Sequence, residues 1–318
     1  MAELFAFDKI EPIFKWIHIF MGIMWIGLLY FFNFVNTGFA PTMSGDTKKA
    51  VVPELMPRAL YWFRWGAAWT WFTGVILLIA VFWFAGGQSN LWIADGAEEF
   101  IDVNNNKTYD LGEEYTDSND NDVWDDEQDP NTAETSMMMD TQDKNEAGDP
   151  GLDMYTHIML AVTFLAVFAY DFLYKSPLAK NTRVVTIISF ILIAAILYCM
   201  THCAGWGYRA FNIHIGAMFG TIMAFNVWFR IWPAQQKIIT AIKDGEAPDS
   251  DLLALAGLRS KHNTYLSLPL IWTMINAHTT VYGDKAFNYE GGVLLIVIAL
   301  GWHIIFQCYK KSSKLQGF

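Results

Sequence analysis

The 318-residue chain is 53% hydrophobic and 16% aromatic, with only 17% charged residues, and its apolar residues lie in long blocks. That composition belongs to an integral membrane protein and excludes an ordinary water-soluble globular domain. The net charge of −11 is unevenly placed: residues 88 to 151 hold 19 of the 32 acidic residues and, of the 21 basic ones, only Lys107 and Lys144, so this segment carries −17 and the remainder +6. A stretch of this kind is a solvated loop or small domain and gives no footing to a nucleic-acid partner.

The N-terminal MAELFAFDKIEPIFKW has no basic n-region and no small-residue cleavage site. The first apolar segment is therefore expected to remain as a helix and not to leave as a signal peptide. Seven segments are long enough for ~30 Å of hydrocarbon, which takes about 20 residues of helix: roughly 12–36, 60–85, 153–174, 184–204, 210–232, 264–282 and 291–309. The expected fold class is an all-α integral membrane protein, a bundle of about seven transmembrane helices with an acidic extracytoplasmic insertion. Residues 1–87 would hold helices one and two, 88–151 the insertion, and 152–318 helices three to seven.

Lys and Arg gather in alternate connections: Lys48, Lys49 and Arg58; Lys175, Lys180 and Arg183; Lys237, Lys243, Arg259 and Lys261; and Lys310, Lys311 and Lys314 at the end. The positive-inside rule makes those connections cytoplasmic, which puts the N-terminus, the acidic segment, the Gly205 to Arg209 loop and the loop around Gly283 outside.

The acidic segment contains a doubled pattern, FIDVNNNKTYDLGE then YTDSNDNDVWDDEQ, with a period of 15 residues. Read as EF-hand-type calcium loops, the first copy fills positions 1, 3, 5, 9 and 12 with Asp102, Asn104, Asn106, Asp110 and Glu113, and the second with Asp117, Asn119, Asn121, Asp125 and Gln128. Position 7, which offers a backbone carbonyl in such loops, is Thr108 in one and Val123 in the other. Lys107 and Asp122 stand where an EF-hand has glycine, so each loop has to turn differently. The expectation is calcium binding outside the cell, against the alternative of a plain acidic linker.

Cys199, Cys203 and Cys308 lie in or beside spans, and no CxxCH is present to attach a c-type heme, so neither a disulfide framework nor a covalent heme is implied. With the orientation above, His18, His157, His202, His214 and His278 all fall near the outer ends of their spans, His262 at a cytoplasmic mouth, and His303 deeper in the last span. A single histidine of this kind is usually structural, bonding a neighbouring helix. Five at one level on five helices point to a cofactor in the bundle core, because bundles build such sites from side chains on facing helices.

Heme b, one or two per chain, suits an aromatic-rich bundle best, since it needs only one or two axial ligands, whereas zinc or copper wants three or four converging donors. Gly22 clears space on the His18 and Trp25 face. Arg209, just before His214, is placed to pair with heme propionates or with lipid headgroups. Asp171 is expected to pair, in a structural role, with an inner-side cation such as Arg64 or Arg183.

The stretches WIHIFMGIMWIG, RALYWFRWGAAWTWFTG, AYDFLYKSPL, THCAGWGYRAFNIHIGAMFGTIMAFNVWF, IWPAQQK and RSKHNTYLSLPLIWTMINAH closely resemble the membrane domain of the cytochrome c-coupled, membrane-bound urate oxidases (urate hydroxylases). The resemblance runs through nearly the whole chain apart from residues 88 to 151. It singles out His18, His202, His214, His262, His278 and His303, and not His157. The first span is also similar to that of membrane-type protoporphyrinogen oxidases, whose first-helix histidine ligates heme b, which implies the same role for His18. Urate enzymes of this kind carry a further span and a C-terminal cytochrome c, whereas this sequence ends after the seventh span, and they lack its Asp/Asn-rich insertion.

Three functions follow as expectations. One is a b-type heme electron-transfer protein of a bacterial inner membrane, handing electrons to a separate periplasmic cytochrome c or to respiratory-complex subunits. Another is an enzyme that oxidises urate or a related small molecule, and the third is a non-redox structural or transport subunit.

Overall fold

A computed structural model describes residues 7–83, 154–276 and 291–315. The acidic segment with both repeat copies, and His278, lie outside the described residues. Among the described residues there is no strand.

Helix α1, Phe7–Tyr30, continues through a π turn, Phe31–Asn36, and two short turns to Thr42. The next two are α2, Gly45–Phe82, and α3, Met154–Leu173. Helix α4, Thr182–Tyr198, runs into a π turn, Cys199–Cys203. Helix α5, Tyr208–Asn226, is joined by a third π turn, Val227–Ile231, to α6, Trp232–Asp244. Helices α7, Ser250–Ile275, and α8, Gly292–Ser312, complete the bundle.

Among the described residues, six stretches are long and apolar enough to cross a membrane: Glu11–Thr42, Gly45–Phe82, Met154–Leu173, Thr182–Cys203, Tyr208–Asp244 and Gly292–Ser312. Helix α7, whose second half matches the expected sixth span, is less apolar because it turns Arg259, Asn263, Thr264, Ser267 and Thr273 into the core, all of them buried. A polar face of this kind is tolerated at membrane depth only when it is shielded by protein.

The expected cytoplasmic loop at 37–59 is mostly helix. Ser44 accepts a hydrogen bond from the Thr47 amide and so caps α2, which then runs 38 residues, about 57 Å at 1.5 Å per residue. That exceeds the hydrocarbon thickness, and its first turns carry exposed Lys49, Glu54 and Arg58.

Helix α5 occupies the centre, with Phe211, Ile215, Met218, Phe219 and Met223 all buried. It approaches α7 so closely that a Cβ on Gly216 would overlap Thr273 Oγ1, and Asn212 Nδ2 donates to the Thr273 carbonyl at 3.0 Å. Outward faces carry Trp16, Ile23, Phe168, Phe172, Ile187 and Ile296, exposed apolar side chains that suit lipid and not water. Helix α4 stands off from this core, approaching α3 closely and no other transmembrane helix to a comparable degree.

Near the end of α3, Asp171 accepts from Arg230 Nε at 2.9 Å and Nη2 at 2.5 Å, from Arg259 Nη2 at 2.9 Å, and pairs with Lys175 Nζ at 2.8 Å. The cation pairing expected from sequence is present, but through Arg230, Arg259 and Lys175 and not through the examples Arg64 and Arg183. Arg64 lies instead over the rings of Trp232, at 3.6 Å, and Trp228, at 5.4 Å. Two arginines from α7 and the third π turn reach Asp171 because α3, α5 and α7 converge there.

Candidate functional site

His214 sits in the second turn of α5 and is fully buried. Its Nδ1 lies 2.7 Å from the Ala210 carbonyl, which only accepts, so the ring proton is on Nδ1 and Nε2 is the free lone pair. That lone pair accepts the indole N–H of Trp83 at 3.2 Å. Trp206 packs on the imidazole at 4.3 Å between centroids and Phe82 at 5.4 Å. His157, exposed on the first turn of α3, has its ring centroid 6.1 Å from that of Trp83, and the Arg209 guanidinium lies 5.8 Å from the Phe82 ring. The end of α2 and the starts of α3 and α5 thus bring together His157, His214 and Arg209 around the pair Phe82 and Trp83.

His18 stands apart from this cluster. Its Nδ1 donates to the Thr70 carbonyl at 2.9 Å and lies 3.2 Å from Thr73 Oγ1. The ring covers Gly74, where an added Cβ would come within 2.8 Å of Cε1, so glycine is what admits the imidazole. Gly74 precedes Trp83 by nine residues on α2, about 13 Å along the helix axis. His18 and His214 therefore lie at two levels instead of the single level their distance from the span ends suggested.

The other candidates are not gathered with these. His202, on the π turn after α4, stacks on Tyr198 of its own helix with centroids 4.1 Å apart and its Nδ1 2.8 Å from Thr201 Oγ1. His303 is on the exposed face of α8, with Gln307 Nε2 3.1 Å from its Nε2. His262 lies at the opposite end of the bundle, against Tyr170 and Tyr174. Trp83 and Trp206, which enclose His214, were not singled out in the sequence. The only available signal was an aromatic at the end of a span and another two residues before the helix carrying the histidine.

Among the described residues no three His, Cys, Asp or Glu side chains gather as a metal cluster. A b-type heme asks less, and two features of these residues fit it. Histidines that ligate a metal characteristically donate their other ring N–H to a carbonyl or carboxylate, which orients the ring. His18 and His214 both donate from Nδ1 to a backbone carbonyl, so the lone pair that would meet a metal is on Nε2. The surround of His214 is aromatic and dry, as a heme pocket requires. Nε2 of His214 cannot hold iron and the Trp83 N–H together, so ligation there requires the indole to turn away.

A family model described as urate oxidase N-terminal matches residues 5–99 and 143–316, and its gap falls within the acidic segment. Comparisons with curated proteins and with solved structures give no match. The matched residues make up most of the chain and include all seven histidines and Arg209, and the chain accordingly belongs to the urate oxidase N-terminal family.

Proposed function

We propose that this membrane protein is a b-type heme electron-transfer subunit that passes electrons to a periplasmic cytochrome c. The observation that carries the reading is the shared arrangement of His18 and His214, each with Nδ1 tied to a backbone carbonyl and the Nε2 lone pair as the one that would hold iron, in His214 once the Trp83 indole turns away. A b-type heme supplies one-electron exchange when bound.

The chain's own residues have definable tasks. The Thr70 and Ala210 carbonyls fix the two imidazoles in one tautomer, and Trp206 and Phe82 keep water from His214. Arg209, beside Phe82, offers a cation for a carboxylate at the same end. The acidic segment, with −17, would draw a basic electron-transfer partner towards that face.

Membership of a family described by its urate oxidase N-terminal region favours a second reading, in which the same chain oxidises urate or a related small molecule. A pyridine hemochrome assay on purified protein, followed by addition of urate under anaerobic conditions, tests both. Heme without urate-dependent reduction supports the transfer subunit, heme reduced by urate supports the enzyme, and protein free of heme after expression with adequate heme supply defeats both.

A further inference from the structure

A cleft of about 470 Å³ opens between α3, α4, α5, α7 and α8 in the inner half of the bundle, where α4 stands off from its neighbours. Its walls are apolar, with Ile193, Phe219, Leu266 and Trp302 among them. Leu192 and Phe306, which line it on membrane-length helices, are 46% and 53% exposed. On apolar transmembrane faces that exposure is to lipid, so the cleft is entered from the side, out of the bilayer. The volume lies within the ~300–1,000 Å³ range of small-molecule sites.

One end of the cleft is polar, and its hydrogen bonds run in one direction. Asn263 Nδ2 donates to the Met223 carbonyl at 2.9 Å, and Asn226 Nδ2 donates both to Asn263 Oδ1 and to the Tyr170 oxygen, each at 2.9 Å. Tyr170 is thus an acceptor from Asn226, and its single proton is left for His262 Nδ1, 2.8 Å away. His262 then carries its own proton on Nε2. The imidazole lines the cleft, and Nε2 has no hydrogen-bond partner among the described residues. Two further hydroxyls at this end, Tyr174 and Ser189, lie 3.2 Å from each other.

A neutral N–H donor facing an apolar cleft is costly unless an acceptor meets it. The matching ligand has a neutral carbonyl on a flat ring, for contact with Tyr174, Tyr265 and Trp302, and an apolar tail reaching back between α4 and α8 into lipid. A phospholipid headgroup fits less well, because Arg259 is buried against Asp171 and does not line the cleft, which leaves Lys261, over the Tyr309 ring at 5.4 Å, as the one lysine or arginine among the described lining residues. We propose that this cleft binds an isoprenoid quinone, its ring carbonyl accepting from His262 Nε2. Binding there does not depend on whether the chain also holds heme.

The test uses the full-length protein in nanodiscs free of quinone, a photoreactive azido derivative of a short-chain ubiquinone, and mass spectrometry of the labelled peptides. Labelling should fall on residues 186–196 and 258–266 and be competed by the unmodified short-chain quinone but not by phosphatidylglycerol. His262→Phe should weaken competition about tenfold, what one ordinary hydrogen bond supplies, and Ile193→Trp, which fills the opposite wall, should abolish site labelling. Thermal melting checks that each variant is folded, and the tryptophan variant carries the test if His262→Phe is not.

Labelling spread over every lipid-facing helix, or competed equally by phosphatidylglycerol, would overturn the proposal. So would loss of heme absorbance in His262→Phe, which would make the cleft a heme site. A preparation that lacks heme yet labels as expected would sink the electron-transfer reading and leave this one standing.

Discussion

Trp83, at the end of α2, donates its indole N–H to Nε2 of His214, at the start of α5, across 3.2 Å. The bond satisfies the only lone pair of a buried imidazole whose other nitrogen is already committed to Ala210. It also occupies the atom that an axial ligand has to offer, so the same contact stabilises the heme-free protein and competes with iron.

Trp83→Phe separates those two effects. It leaves a buried acceptor without a donor, which costs about 1–3 kcal/mol, and should lower the melting temperature of heme-free protein in detergent. Heme content after reconstitution should be no lower than in the parent. A variant that keeps its melting temperature but loses heme would mean that the indole supports the cofactor instead of standing in for it.

Gly74→Ala tests the second level. The new methyl would lie 2.8 Å from His18 Cε1, so the ring has to leave the Thr70 carbonyl. Membrane insertion should be unchanged, because hydropathy sets it. Heme content should fall towards that of His18→Ala, measured by pyridine hemochrome.

Asp171→Asn removes the one carboxylate shared by Lys175, Arg230 and Arg259, the last only 1% exposed. Breaking a buried pair in this way costs about 3–5 kcal/mol. The expected result is a large drop in melting temperature, with the double variant Asp171→Asn/Arg259→Gln less destabilised than the sum of the single ones.

The repeat at 102–128 is expected to bind calcium through Asp102, Asn104, Asn106, Asp110 and Glu113 and their counterparts in the second copy, relieving the self-repulsion of a −17 segment. Millimolar calcium should protect this region of the full-length protein from limited proteolysis, and Asp102→Ala with Asp117→Ala should remove the protection. Calorimetric heat that is absent in the parent protein would leave a plain acidic linker.

The spans were legible because a run of apolar residues must be helical in lipid whatever its neighbours do. Their extensions were not. The first turns of α2, with Lys49, Glu54 and Arg58, and the first turns of α7 before Tyr265 are helical but polar, and a search for apolar length passes over them. The histidines show the same division. Position in a span gives depth only loosely, as the two levels of His18 and His214 show, and not the direction around the helix, so His157 on an exposed face and His214 at the centre looked alike. The Asp171 partners were misjudged because the π turn at Val227–Ile231, which places Arg230, leaves no mark in composition.

The most direct test of the central claim is the reduced-minus-oxidised absorption spectrum of purified parent protein beside His18→Ala, His214→Ala and His262→Ala. The account predicts a b-type spectrum in the parent, loss or weakening of it in the first two variants with insertion intact, and a parental spectrum in His262→Ala. No heme in the parent, or equal loss in all three variants, would contradict it.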